Sequence, residues 1–324
     1  LTVSYIPVTS PVSVGQHITV IMEIENTGEA AALNVAPSIT KIGDSSSLVN
    51  LTGPVPASSV INGGSSVFFT WTYSVSAAGS VSFYGEASGT DENSGIAITA
   101  APDTSNLVVL QLKANLISGI MLPAAASLNQ VFTVIMYVSN TGQAEAINVV
   151  PSALNLSGSI GSSIYRTGPV PASQSISGAD VVYYTWTYSA TGTGNVSFKG
   201  NASGADKNSL LPVSSAITEK IITVQKTPSL SVSLTALPDP ARTGAQITVI
   251  AAITNETGSA RALNVSVTPQ DLGRAFTGSA SITGMTPPAI ISADINGGQT
   301  VYFTWVFGLG NGQGTVSFTG SAMG

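Results

Sequence analysis

Three stretches of the chain alternate apolar and polar side chains with a period of two. In the first, Ile18, Val20, Met22 and Ile24 share one parity, with Thr19, Ile21, Glu23 and Glu25 between them. Phe132, Val134, Met136 and Val138 repeat the pattern, and Ile247, Val249, Ala251 and Ile253 repeat it again. Alternation of this kind predicts a β-strand buried on one face, because successive side chains of an extended chain point to opposite sides. Val67, Phe69, Trp71 and Tyr73 predict a second strand, with Phe68, Thr70 and Thr72 on its other face. Val81, Phe83, Gly85 and Ala87 predict a third, whose inner row tapers from bulky to small. There is no capped amphipathic helix, and no apolar run of ~18 residues that could cross a bilayer.

The predicted strands recur together. Val20–Gly28, ending in Asn26-Thr27-Gly28, returns at Val134–Gly142 and again at Val249–Gly258. An Asn-Val pair follows each time, at Asn34, Asn148 and Asn264. Thr52-Gly53-Pro54-Val55-Pro56 reappears as Thr167-Gly168-Pro169-Val170-Pro171 and is only approximated between Thr283 and Ala289. Phe69-Thr70-Trp71, Tyr184-Thr185-Trp186 and Phe303-Thr304-Trp305 complete the series. Ordered motifs at a spacing of ~115 residues describe three copies of one domain, of the size of a single β-sandwich. The expected fold is therefore all-β: three tandem immunoglobulin-like sandwiches of about seven antiparallel strands each. The expected domains are residues 1–112, 113–226 and 227–324. Asn26-Thr27-Gly28, Asn62-Gly63-Gly64 and Gly310-Asn311-Gly312 are expected to be tight hairpin turns, since Asn and Gly tolerate positive φ. The joins Lys113-Ala114-Asn115 and Val224–Pro228 are brief, which predicts an extended rod.

An alternating strand, Asn-Thr-Gly, a small-residue run, Asn-Val and a late Phe/Tyr-Thr-Trp strand together resemble the CARDB-type (cell-adhesion-related) immunoglobulin-like repeats of prokaryotic surface proteins. The resemblance covers the whole chain, three times. It implies an extracellular or cell-surface location and a structural or adhesive role, and it brings no catalytic residues with it. The Cys-Trp-Cys signature of antibody domains is absent.

Composition sharpens this picture. Hydrophobic residues make up 43% of the 324 and mean hydropathy is +0.35, which excludes a disordered chain. Charged residues make up only 8%, against about 25% in an average soluble protein. The net charge of −6 offers no basic surface to track a phosphate backbone, so nucleic acid is not an expected partner. With no cysteine and one histidine, thiol chemistry, Cys-bound metals and a Ser-His-Asp triad are all excluded. No enzyme activity, cofactor or metal is expected.

The remaining candidates are few. His17 points away from the apolar parity and has no orienting partner in sequence, so it reads as a solvated side chain. Thr90-Asp91-Glu92-Asn93 and Ala205-Asp206-Lys207-Asn208 are the densest polar loops, but neither spaces its carboxylates like a calcium loop, and both read as solvated turns. Trp71, Trp186 and Trp305 share the parity of the core rather than that of a sugar-stacking platform. Phe68, Tyr183 and Tyr302 recur on the opposite, outward face and are candidate contacts with neighbouring subunits. Asn-x-Ser/Thr sequons at Asn50, Asn155, Asn195, Asn201, Asn255 and Asn264 are candidate glycosylation sites.

Leu1 falls in a predicted strand, with no initiator Met or signal peptide before it, so the chain reads as processed or as a fragment. Gly324 matches Gly89 and Gly204, so the third copy is expected to lack its closing strand. That strand would come from sequence not included or from another chain by donor-strand complementation. Together these readings predict a subunit of an extracellular filament, sheath or pilus-like assembly. Its partners would be copies of itself or neighbouring surface proteins, with glycans as a further candidate. The alternatives are the stalk or binding module of an adhesin, and a non-catalytic spacer of a secreted protein.

Overall fold

A computed structural model describes residues 1–158 and 163–324. Among the described residues, one 3-10 turn at Ser45–Ser47 is the only helical element and the rest of the regular structure is strand. The chain forms three tandem immunoglobulin-like β-sandwiches.

In the first copy one sheet runs in the order Thr2–Ile6, His17–Glu25, Ser66–Val75, Leu48–Val55. The facing sheet centres on Gly79–Asp91, which pairs with Ala32–Gly43 on one side and with Val108–Gln111 on the other. Burial along His17–Glu25 alternates residue by residue, as the period of two predicts. Val20, Met22, Ile24, Phe69, Val81 and Phe83 are all fully buried between the sheets. The second copy repeats the first sheet with Leu116–Met121, Val131–Asn140, Val181–Ala190 and Ser163–Val170. The third repeats it with Leu230–Leu237, Gln246–Asn255, Thr300–Leu309 and Ile282–Thr286. Each copy has its own cluster of buried apolar side chains.

Two features differ from the sequence reading. Not every strand pair is antiparallel: Val12–Ser13 runs parallel to Leu110-Gln111, and Ala125–Ser127 runs parallel to Thr223–Gln225. Proline is the cause. Pro7 and Pro11, or Pro123 in the second copy, cannot donate to the ladder they would enter. The first strand therefore breaks and its second half crosses to the edge of the other sheet. The Asn-Gly turns, likewise, are not hairpins. Asn26-Thr27-Gly28 joins His17–Glu25 in one sheet to Ala32–Gly43 in the other, and Asn62-Gly63-Gly64 and Gly310-Asn311-Gly312 also bridge the two layers. The alternation is identical whether the next strand lies beside or opposite, so periodicity does not distinguish a hairpin from an arch.

In the third copy the second sheet has three strands among the described residues, Ala293–Ile295, Ala262–Phe276 and Val316–Met323. The strands that close the first two copies bury Val108 and Leu110, or Ile222 and Val224, against the core. The described residues of the third copy include no counterpart of these strands, and there Val316 and Phe318 are half-buried, whereas the equivalent Val81, Phe83, Val196 and Phe198 are fully buried. They line an open cleft of about 480 Å³ together with Ala236, Ile247 and Leu309.

Candidate assembly surfaces and the interdomain joint

The Asn that opens each Asn-Thr-Gly run is a buried cross-tie. Asn140 is fully buried; its Nδ2 donates to the carbonyls of Ala144 (2.8 Å) and Ile176 (3.1 Å), and its Oδ1 accepts from the backbone N–H of Asn115 and Gly142. Asn26 donates in the same way to Ala30 and Ile61, and Asn255 to Ala260 and Ile295. One side chain thus satisfies several arch groups that have no ladder partner. In the first two copies the positive φ that the Asn-Thr-Gly turns were expected to supply is found instead at Asn34 and Asn148 (51° and 53°), whereas in the third copy both Gly258 (80°) and Asn264 (51°) have it.

This placement sorts the sequons. Asn50, Asn155, Asn195 and Asn264 are exposed and Asn201 is half-buried. Asn255 has no solvent-facing amide, because both hydrogens of its Nδ2 are committed to backbone carbonyls inside the arch. The sequon reading of Asn255 is therefore corrected: the pattern is a by-product of the cross-tie.

Trp71, Trp186 and Trp305 are buried to 2% exposure or less, in the core. Gly53 and Gly168 explain the Thr-Gly-Pro motif beside them. Both have strongly positive φ (118° and 123°), and a Cβ on Gly168 would lie 2.6 Å from the Thr185 carbonyl and 2.9 Å from the Trp186 ring. The strand bulges here, and its backbone passes close to the indole. In the third copy the Trp305 Nε1 instead donates to the Gln270 carbonyl at 2.7 Å.

Phe68, Tyr183 and Tyr302 face outward and are 51%, 53% and 61% exposed. Across the ladder they meet Glu23, Tyr137 and Ala252, at one register position in all three copies. His17 is exposed opposite Ser74. Among the described residues, no three His, Cys, Asp or Glu side chains gather as a metal site would require.

The two polar loops have different fates, which composition alone did not signal. Asp91 stands at the solvent edge of the first copy and accepts from the Ser94 N–H and Oγ, each at 2.7 Å. Hydrogen bonds to the charged form hold its carboxyl below the usual range. Asp206 makes the same turn, accepting from the N–H and Oγ of Ser209, but is only 1% exposed. It is a buried joint between copies rather than a solvated turn. Ser13 of the first copy donates its Oγ to the carboxylate at 3.0 Å, and the Ala114 N–H donates at 2.8 Å. Asn208 Nδ2 bonds Gln111 Oε1 and Ser13 Oγ, while Gln16 Nε2 bonds the Asn208 carbonyl. Burial pushes the Asp206 carboxyl up, but the N–H groups of Ala114 and Ser209 and the hydroxyls of Ser209 and Ser13 outweigh it, leaving the group below its ordinary value of 3.8.

No family model matches the chain, and no curated protein matches it. Among solved structures it is similar to the C-terminal domain of the Streptococcus agalactiae AgI/II polypeptide BspA, at 7% identity and a TM-score of 0.29, over 68% of this chain and 99% of that one. The C-terminal domain of the Streptococcus pyogenes antigen I/II-family protein AspA gives 6% identity and a TM-score of 0.29, over 68% and 98%. A marsupial T cell receptor gives 9% and 0.29, over 99% of both chains. A TM-score of 0.29 transfers no role from any of these proteins to this chain.

Proposed function

We propose that this chain is a non-catalytic structural subunit of a cell-surface or extracellular assembly, a rod of immunoglobulin-like domains that associates with further copies of itself. The observation that carries the reading is the outward aromatic repeated at one register position, Phe68, Tyr183 and Tyr302. Each keeps more than half of its surface in water although the fold does not require an aromatic there. Repeated along a rod, these side chains form a row of apolar contacts that an identical rod can meet side by side.

Two further features agree with it. At 8% charged residues the strand edges carry few of the Lys and Glu side chains that usually deter edge pairing, which suits edges covered by neighbours. The third sandwich also presents an open edge and cleft. A strand with apolar side chains two apart, as in Val108-Val109-Leu110, would close it, supplied by the chain's own continuation or by a neighbouring chain in the manner of β-strand addition. Glycans on the exposed sequons would hydrate what the lattice leaves uncovered. The resemblance to CARDB-type repeats implies the same setting.

Electron microscopy of the native material together with sedimentation of the purified chain tests the reading. Regular filaments or sheets are expected. The variant Phe68→Ser/Tyr183→Ser/Tyr302→Ser is expected to lose side-by-side association while keeping its melting temperature, because exposed positions contribute within about 0.5 kcal/mol each. Isolated monomeric rods at every concentration would overturn the proposal and favour a stalk or spacer.

A further inference from the structure

The outward face of the first sheet is not the same in the three copies. In the second copy, two rows read across the strands Leu116–Met121, Val131–Asn140 and Val181–Ala190 are Ile117, Ser139, Val181 and Gly119, Tyr137, Tyr183. The next row adds Met121 and Ile135. No Asp, Glu, Lys or Arg stands in any of the three. Ile117, Met121, Val181 and Tyr183 are exposed, and Ile135 and Tyr137 are half-buried. A Cβ on Gly119 would lie 2.4 Å from the Tyr137 ring, so that ring lies over the glycine and the surface there is level.

The other copies hold different chemistry at the same register. The first copy has Thr2, Glu25, Ser66 and then Ser4, Glu23, Phe68. Neither glutamate has an ion-pair partner among the described residues. The third has Ser231, Thr254, Thr300 and then Ser233, Ala252, Tyr302. The outward aromatic recurs in all three, but only Tyr183 is set among apolar side chains. Folding does not require this, since hydroxyl residues take the places of Ile117 and Val181 in both other copies. An apolar surface kept in water without a structural need marks a contact.

We propose that the second copies of two chains pack face to face, each presenting the Ile117–Tyr137–Tyr183 surface to its own image. This rests on the self-association proposed above and names the part of the rod that carries it. Tyr183 already belongs to that contact, and a level, uncharged face can meet itself about a two-fold axis without burying a charge. The first copy's face cannot, because Glu23 and Glu25 would oppose their own images. Three rows across four strands cover roughly 400 Å² per chain. That is about half of the ~800 Å² per partner in a stable pair, so a single pair is weak and association depends on concentration.

Sedimentation of the purified full chain over a concentration series tests the contact. Tyr137→Glu/Ser139→Glu moves the first copy's carboxylates to the same register of the second. It is expected to weaken association by roughly 10- to 100-fold, through like charges brought together in a desolvated contact. Ile117→Thr/Val181→Thr, which leaves both tyrosines in place, is expected to weaken it by roughly 10-fold through lost apolar burial. None of these four side chains belongs to the core cluster, and circular dichroism checks that each variant folds. Phe68→Ser/Tyr302→Ser, outside the second copy, is expected to lose less than Tyr183→Ser alone. If it loses as much as the second-copy variants, or if those variants associate like the wild type, the contact is not centred on the second copy; the inference is overturned and the assembly reading stands. A wild type that stays monomeric at every concentration removes both.

Discussion

A single asparagine amide does more for each arch than the glycine beside it. In the second copy Asn140 ties two carbonyls and two N–H groups across a crossover with no ladder of its own. Replacing it with Ala strands these groups in a site without water, and each unsatisfied buried partner costs about 1–3 kcal/mol. Asn140→Ala is therefore expected to destabilise the second copy by about 2–4 kcal/mol in urea unfolding. Asn140→Asp keeps the acceptor and loses the donor, so it should recover only part of the loss; a loss below about 1 kcal/mol for the Ala variant would contradict the cross-tie. This is also where the sequence was least legible. Asn26 and Asn34 are the same residue type only eight positions apart, and propensity treats them alike. Only tertiary position makes one a buried tie and the other a positive-φ residue, and it removes Asn255 from the open sequons by the same means.

At the scale of strands, the period of two located the core rows, the tryptophans and the outward aromatics, because burial on one face of a strand leaves a mark on every second residue. It did not show the arches, the parallel edge strands or the function of Thr-Gly-Pro, since these depend on which sheet a strand joins. The Trp-strand bulge supplies a matched pair of tests. Gly168 sits at φ 123° with a Cβ position 2.6 Å from the Thr185 carbonyl, whereas a Cβ on Gly284, in the third copy's approximate version of the motif, meets nothing within 4 Å. Gly168→Ala is expected to cost about 2 kcal/mol or more, through backbone strain and displacement of the strand from the indole. Gly284→Ala is expected to be neutral or to stabilise by about 0.5 kcal/mol, through loss of backbone freedom in the unfolded chain. Equal effects at the two sites, measured by thermal unfolding with tryptophan fluorescence, would show that the motif's glycine is not shaped by the ring.

For the molecule as a whole, the joint between the first two copies centres on one buried carboxylate. The linker after Gln111 is clamped by Gln143 and Ala144 N–H groups donating to Leu112 O, and the Ala260 N–H repeats the device on Lys226 O at the second join. Asp206 then locks the first join through groups from both copies. Its carboxyl titrates below the ordinary 3.8 in the folded chain. The stabilisation it gives is therefore complete at pH values above that, and it is lost as pH falls through the lower, folded-state value. The Lys207–Glu145 pair beside it, at 2.6 Å, stands in solvent and contributes little at any pH. Small-angle scattering is expected to show a stiff, elongated particle near neutral pH. As the pH falls through that lower value the angle between the first two copies should broaden while each sandwich stays folded. Asp206→Ala should produce that broadening at neutral pH, with hydrogen-exchange protection lost at Ala114 and Ser209 and kept in the strand cores. If the Ala114 amide stays as protected in Asp206→Ala as in the wild type, the joint is held by the linker alone. The carboxylate would then have no bearing on the stiffness of that joint.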